Sequence, residues 1–420
     1  MTHVYIIDGA RTPFLKIGSG PGPWSAADLA VSAAQALLLR NPIAPEEIDE
    51  VITGCVMPAP NETNIARVIA LRLGCGPSVQ GWTVQRNCAS GLQALECAAK
   101  DIQSGRYHMV LAGGTEAMSR APWLYSPALV QWLGAWRAQK TLLGRIALLR
   151  KLRPHWMVPV IALLQGLSDP IVHLSMGQTA ENLVYHFNLS RKALDQYALQ
   201  SHQRALAAAK VGLFSEIAPL FDGLGTWVDQ DTGLRADGNL EKLARLKPVF
   251  DRPFGQVTAG NSSQISDGAA FLLLASAEAV AHYQLPVLGR IVDTAWAALD
   301  PAMMGLGPVY AIQALLAQQQ LSLDDIDYWE INEAFAAQVL GCVQGLATEY
   351  APHPGIPMDR LNVDGGAIAI GHPVGASGAR LVLHLLRVLR RTGAKRGIAS
   401  LCIGGGQGGA MLIEAMDKTL

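Results

Sequence analysis

No run in this chain reaches the roughly 18 consecutive apolar residues that a membrane-spanning helix needs, although half of its 420 residues are apolar. Residues 1–8 form a short strand-like run and lack the basic-then-apolar layout of a secretory signal. Cysteine is sparse: Cys55, Cys75, Cys88, Cys97, Cys342 and Cys402 stand without paired spacing or accompanying histidine clusters. That argues against a disulfide framework and against a zinc site, so no metal is expected. It fits a reducing interior, cytoplasmic or the matrix of an organelle. Net charge is nearly absent at −1, so the whole molecule makes no electrostatic case for nucleic acid.

Acidic residues are missing altogether from 117–168, where Arg120, Arg137, Lys140, Arg145, Arg150, Lys151 and Arg153 fall among Trp123, Trp132, Trp136 and Trp156. A stretch so apolar and so one-signed, in a near-neutral protein, has the composition of a surface that meets something. Three occupants fit: membrane headgroups with Trp at the boundary, an acidic partner subunit, or the dimer mate. The apolar run 156–167 is interrupted by Pro159 and is too short to span a bilayer. The basic residues of 140–153 do not gather on one face of a helical wheel. At most, peripheral attachment is expected.

What is present in quantity is glycine (42 residues) and apolar side chain, enough for more than one core. Strand-like and helical runs alternate. Residues 4–7, 51–55, 83–85 and 109–112 read as strands, and 26–39, 65–73 and 91–104 as helices, predicting an α/β fold with a mixed or parallel sheet covered on both faces. A weak internal repeat follows, with Asn87-Cys88-Ala89-Ser90-Gly91 resembling Val374-Gly375-Ala376-Ser377-Gly378. Each is followed by an apolar strand ending in glycines, at 109–114 and 398–406. The chain therefore reads as two duplicated halves, 1–120 and 256–420, around an inserted loop domain at 121–255.

Four places carry candidate chemistry. Cys88 stands at a strand-to-helix junction, where the partial positive charge of a helix N-terminus favours a thiolate; the plainer explanation is a small buried apolar residue. His372, held on a stiff turn between Gly371 and Pro373, suits a base of fixed orientation. Cys402 precedes Gly404-Gly405-Gly406, whose backbone N–H groups are the material of an oxyanion hole, or merely a tight turn. Asn332 and Glu333 end the strand-like run 328–331, where helix capping explains them equally well. Ahead of them, the polar small-residue loop 260–269 either cradles a ligand or is a plain turn.

Taken together, these motifs resemble the thiolase family over nearly the whole chain. The matching segments are Asn87-Cys88-Ala89-Ser90-Gly91-Leu92-Gln93-Ala94, Gly113-Gly114-Thr115-Glu116-Ala117-Met118-Ser119, Ser175-Met176-Gly177-Gln178-Thr179-Ala180-Glu181 and Val257-Thr258-Ala259-Gly260-Asn261-Ser262-Ser263. Asn332-Glu333-Ala334-Phe335, Gly371-His372-Pro373 and Cys402-Ile403-Gly404-Gly405-Gly406 complete the set. The resemblance implies a thiolase fold of two αβαβα-type halves. It implies an acyltransferase that cleaves 3-ketoacyl-CoA with coenzyme A, as in fatty-acid β-oxidation. Condensation of two acetyl-CoA is the alternative, and a non-catalytic lipid-binding adaptor of the same fold a more distant one. It makes Cys88 the nucleophile, His372 its base, Cys402 the acid/base at the acetyl α-carbon, and Asn332 and Gly404 parts of two oxyanion holes. Met176, Arg235, Ser263 and Phe335 fall where the family contacts coenzyme A, which comes and goes as a substrate, with no permanently bound cofactor. Gln85 departs from the usual pattern, in which many members have Asn, and Ser175 and Gln264 depart from that of the short-chain enzymes. The basic insert at 137–159 resembles the thiolase subunit of the fatty-acid-oxidising trifunctional complex, which implies a hydratase/dehydrogenase partner subunit. A homodimer or homotetramer is expected.

Overall fold

A computed structural model describes residues 3–349, 352 and 354–416. Strands β1 (Val4–Arg11), β2 (Glu50–Gly54), β3 (Gln80–Val84) and β4 (Met109–Ala117) alternate with helices α1 (Ala26–Leu38), α2 (Ile65–Arg72) and α3 (Ser90–Gln103). Each element read from the first half forms, and β4 runs on five residues further. The insert contributes α4 (Pro127–Ala138), α5 (Leu142–Leu149), α6 (Met176–His186) and α7 (Arg191–Lys210). Beyond it come β5 (Ser266–Ser276), β6 (Gly289–Ala298), α8 (Gly307–Gln319), β7 (Tyr328–Ile331), α9 (Ala336–Glu349), α10 (Ser377–Thr392), β8 (Arg396–Ile403) and β9 (Gln407–Ala415).

The long sheet runs in the order β7-β8-β9-β6-β1-β5-β4-β2-β3. It is mixed: β2 pairs in parallel with β3 and β4, and β7 with β8, while the remaining neighbours on this path are antiparallel. The duplication shows in that order, because β1-β5-β4-β2 and β6-β9-β8-β7 repeat one arrangement and meet where β1 pairs with β6. Strand β5 lies between β1 and β4. By hydrogen-bond pairing it belongs to the first half, so the join between repeats falls between 276 and 289 and not at the expected 255.

Layering follows from side-chain alternation along these strands. On β1, Val4 and Ile6 point into a core shared with α3 and α10, while Tyr5 and Ile7 point the other way, toward α1 and α2. The second half buries its opposite face under α8 and α9. The stack is therefore helix, sheet, helix, sheet, helix, with α3 and α10 in the middle. Burial on both faces accounts for the unbroken apolar run at 269–275, which a one-faced strand would interrupt with polar residues.

The middle layer is tight. A Cβ on Gly114 would lie 1.9 Å from the carbonyl oxygen of Gly375, and one on Gly91 would lie 2.7 Å from that same oxygen. Only glycines let the loop before α10 rest against β4 and the start of α3.

Behind that loop, a buried chain of charges ties three parts of the molecule together. Arg11 of β1 donates to both carboxylate oxygens of Asp231 in the insert, at 2.7 and 2.9 Å, and to Glu216. His384 of α10 bridges Glu216 at 3.1 Å and Asp364 at 2.9 Å. Burial alone would strip the imidazole of its proton, but hydrogen bonds to Asp364 and Glu216 override it and push His384 up to about 9. A folded-state value above the unfolded one adds stability that is complete below the ordinary 6.5 and is lost as pH rises through 9. His384→Gln should therefore be less stable than the wild type at pH 6, by about 3 kcal/mol for a shift of that size. The gap should close by pH 10, with thermal unfolding across that range as the measurement; a gap that does not depend on pH refutes the charged bridge.

Candidate active site

Asn87 turns the chain sharply after β3 with φ 44°, a left-handed conformation that asparagine tolerates. The turn sets Cys88 just ahead of α3. Asn87 Nδ2 donates to the carbonyl of Gly404 at 2.8 Å, which binds the Cys88 turn to the glycine turn after β8. Backbone N–H groups of Gly404 and of Cys88 itself point at the sulfur. The helix start was expected to favour the thiolate; the structure reverses that balance. Burial comes first and pushes the Cys88 thiol up to about 11, against the lowering by those two N–H groups.

His372 sits on the loop before α10, after Gly371 with φ 108°. Its Nδ1 lies 2.6 Å from Ser377 Oγ, and that hydroxyl donates to the carbonyl of Pro373 at 3.0 Å. With its own proton committed, Ser377 accepts from Nδ1–H, which leaves the lone pair on Nε2. Asn332 Nδ2 stands 3.3 Å from that Nε2. Burial, then the charge of Arg380, drives His372 down to about 3, so the imidazole is neutral. Asn332 is thus turned toward the histidine and is not a cap of α9, which starts only at Ala336. Glu333, its neighbour, accepts from Tyr197 at 3.0 Å, Ser201 at 2.6 Å and the backbone of Ile368 at 3.2 Å, bracing the segment that leads to His372.

Cys402, at the end of β8, is fully buried. Burial, then the nearby Cys88 and Cys342, hold its thiol well above the usual range. Gly405 and Gly406 take φ 90° and 75° in the turn beyond it. The structure therefore couples Cys402 and Gly404 to Cys88, and Asn332 to His372.

A cavity of about 630 Å³ reaches His372, and Met176, Arg235, Ser263 and Phe335 all line it. A Cβ on Gly404 would lie 3.3 Å from Met176 Sδ, so this cavity adjoins the glycine turn. Cys88 does not line the cavity. It packs in an apolar cluster with Met118 and Val374, which do, and with Val56, Met57, Ile161 and Leu163. The loop 260–264 is built into the site: the backbone N–H of Ser263 donates to the carbonyl of Ala334 at 2.9 Å, beside Phe335. Among the described residues no group of three His, Cys, Asp or Glu could hold a metal ion.

Five contributors escaped sequence reasoning. Ser377, read only as part of the internal repeat, and Arg380, a few residues beyond it, both act on His372. Glu116 stood inside a matching motif; its buried carboxylate accepts from the backbone N–H groups of Val56, Met57 and Gly375, pinning the apolar wall to the histidine loop. Ile161 and Leu163 come from the insert, and no periodicity in a loop signals which side chains fold inward.

These features, a cysteine, a neutral histidine and a second buried cysteine at the seam of a duplicated α/β domain, define an acyltransferase class. The chain belongs to the thiolase family: the profile for "Thiolase, N-terminal domain" matches residues 4–278 and that for "Thiolase, C-terminal domain" residues 285–415. It is 41% identical to a beta-ketoadipyl-CoA thiolase of Acinetobacter baylyi, over 99% of this chain and 100% of that one. It is 40% identical to the mitochondrial 3-ketoacyl-CoA thiolase of Rattus norvegicus, over 98% of each. Among solved structures, human mitochondrial 3-ketoacyl-CoA thiolase in complex with CoA superposes with a TM-score of 0.87 at 37% identity, covering 99% of this chain and 98% of that one.

The raised thiol is directly measurable. Alkylation of Cys88 in the free protein by iodoacetamide should accelerate about tenfold per pH unit from pH 7 to 10, as the thiolate fraction grows. A rate that levels off by pH 8 contradicts the electrostatics described.

Proposed function

We propose that this protein cleaves aliphatic 3-ketoacyl-CoA thiolytically, through an acyl thioester on Cys88. The observation that carries this reading is what surrounds Cys88: backbone N–H groups of Gly404 and of Cys88 itself bond to its sulfur, and the residue packs against the uncharged cluster of Met118, Leu163 and Val374, which Val56, Met57 and Ile161 join. The donors suit the oxyanion of a tetrahedral intermediate, and the wall suits a hydrocarbon tail. With the thiol and the imidazole both neutral at rest, this reading needs no standing ion pair.

In the first half-reaction the Cys88 proton passes to His372 Nε2 while sulfur bonds to the 3-keto carbon. The bond from C2 to C3 then breaks, Cys402 gives its proton to C2, and acetyl-CoA leaves. In the second, the thiol of coenzyme A gives its proton to the Cys402 thiolate and attacks the thioester. The shortened acyl-CoA departs, and His372 returns its proton to Cys88. Asn332 serves the enolate oxygen together with His372. In the cavity, Met176, Ser263 and Phe335 take the pantetheine arm and Arg235 the phosphates, with coenzyme A exchanging at each turnover. The unpaired outer edge of β3, where Trp82 is partly exposed, supports a homodimer or a dimer of dimers. The resemblance of the insert supports a hydratase/dehydrogenase partner, and a cytoplasmic or matrix location is the setting that free cysteines favour.

Two measurements test this. Cys402→Ala should still acylate at Cys88, seen as a mass shift on that peptide. It should exchange the methyl protons of acetyl-CoA with deuterated water about 10²-fold more slowly; normal exchange sinks the assignment. Over a series of 3-ketoacyl-CoA chain lengths, kcat/KM should rise beyond four carbons and exceed that for 3-ketoadipyl-CoA by about 10²-fold or more, because the wall offers the distal carboxylate no partner. Equal or better turnover of 3-ketoadipyl-CoA overturns the aliphatic assignment and leaves the thiolase reaction standing.

A further inference from the structure

Helices α4 and α5 form a hairpin that packs mainly on itself. Trp132 and Trp136 stack at 5.3 Å, and Trp132 Nε1 donates to the carbonyl of Leu148 across the hairpin at 2.9 Å. No residue of α5 is buried, and Leu142, Leu143, Ile146 and Leu149 all stand exposed. Trp123 and Met157, on neighbouring segments, are exposed as well. A soluble helix normally hides one apolar stripe; this one hides none, and no other part of the described molecule gathers exposed apolar side chains so densely in sequence. Around them, Arg137, Lys140, Arg145, Arg150, Lys151 and Arg153 are exposed with no acidic residue between 117 and 168.

We infer that this hairpin is a docking element for an anionic lipid surface. Three physical points favour lipid over the alternatives. First, an isologous contact between two copies sets the same patch against itself, which here brings cation against cation with no carboxylate in the patch to pair. Second, apolar side chains lying next to cations, with tryptophan among them, match the acyl–headgroup boundary, where apolar groups insert and ammonium and guanidinium groups meet phosphates. Third, the same segment runs inward: Leu164 and Leu167 line the substrate cavity, while Ile161 and Leu163 reach the cluster around Cys88. An amphiphile at the membrane surface would thus meet the cavity mouth at the point of attachment. This last point rests on the function proposed above; the docking itself does not. Among the described residues no helix is long and apolar enough to cross a membrane, so the attachment is peripheral.

The experiment is co-sedimentation of the full chain with phosphatidylcholine vesicles, with and without about one-third phosphatidylglycerol, at low and high salt. Two variants are compared with it: Arg145→Gln/Arg150→Gln/Lys151→Gln/Arg153→Gln, and Leu142→Ser/Leu143→Ser/Ile146→Ser. All the substituted side chains are exposed and lie outside the catalytic machinery, so thiolysis of a short, soluble 3-ketoacyl-CoA should be unchanged and reports that each variant is folded. Binding should require phosphatidylglycerol and fall with salt as charges are screened. Each cation near such a surface strengthens binding about fivefold, so the quadruple variant should bind on the order of 10²–10³-fold more weakly. The leucine variant should lose binding even at low salt. Absence of binding, or binding indifferent to lipid charge, salt and both variants, overturns the proposal. A change in oligomeric mass in either variant, read by light scattering, assigns the hairpin to a second copy instead. Loss of thiolysis in the unmodified chain would count against the proposed reaction and leave the lipid result unaffected.

Discussion

The contact on which this structure depends is the placement of one carbonyl oxygen. Gly375 O lies where a side chain on either Gly91 or Gly114 would displace it, so a loop of the second half lies directly on a strand and a helix start of the first. From that contact the rest follows. His372 is three residues before Gly375, Ser377 two after, and Cys88 three before Gly91. The carboxylate of Glu116 then fastens the backbone of Gly375 and of Val56 and Met57 to one point. An α/β layer packed with larger side chains would keep the two halves several ångströms further apart, and the sulfur and the imidazole would belong to separate surfaces.

Bringing these groups together inside the molecule also fixes their protonation. Burial acts oppositely on the two kinds of group, raising thiols and lowering imidazoles, so Cys88, Cys402 and His372 all rest uncharged. Under the proposed reaction charge would arise only as substrate atoms move, and backbone N–H groups of Gly404 and Cys88 already meet the Cys88 sulfur. The contrast with His384 is instructive: equally buried, it keeps its proton because two carboxylates face it. Partners, more than depth, decide which histidine is neutral and which is charged.

How much of this could be read from the sequence divides along physical lines. The strands and helices of the first half were legible because period and turn residues are local, and the duplication was legible because it repeats those local signals. Cys88, His372, Cys402 and Asn332 were legible as motif residues, yet the charge state of Cys88 was not. A helix start is visible in sequence, whereas the depth at which it is buried is set by α10 and β8, hundreds of residues away. For the same reason β5 was placed with the wrong half: chain order follows the insert, while pairing follows the sheet. Ile161 and Leu163 were invisible as site residues because the insert has no periodicity that separates an inward leucine from an outward one.

The repeat itself carries one more consequence. Aligned by Asn87-Cys88-Ala89-Ser90 and Val374-Gly375-Ala376-Ser377, Cys88 of one half corresponds to Gly375 of the other, and Ser90 to Ser377. Both serines do similar local work, Ser90 bonding back to the carbonyl of Asn87 and Ser377 to that of Pro373, but only the second has a histidine to orient. The two turns are thus unlike: one carries the Cys88 thiol, and at the matching place of the other a Cβ would lie 2.4 Å from the carbonyl oxygen of Thr115. A symmetric pair would have had either two nucleophiles crowding one seam or two glycines and no chemistry. Under the proposed reaction the divergence leaves one sulfur at the junction of the halves, while the serine of each turn keeps its bond to its own backbone.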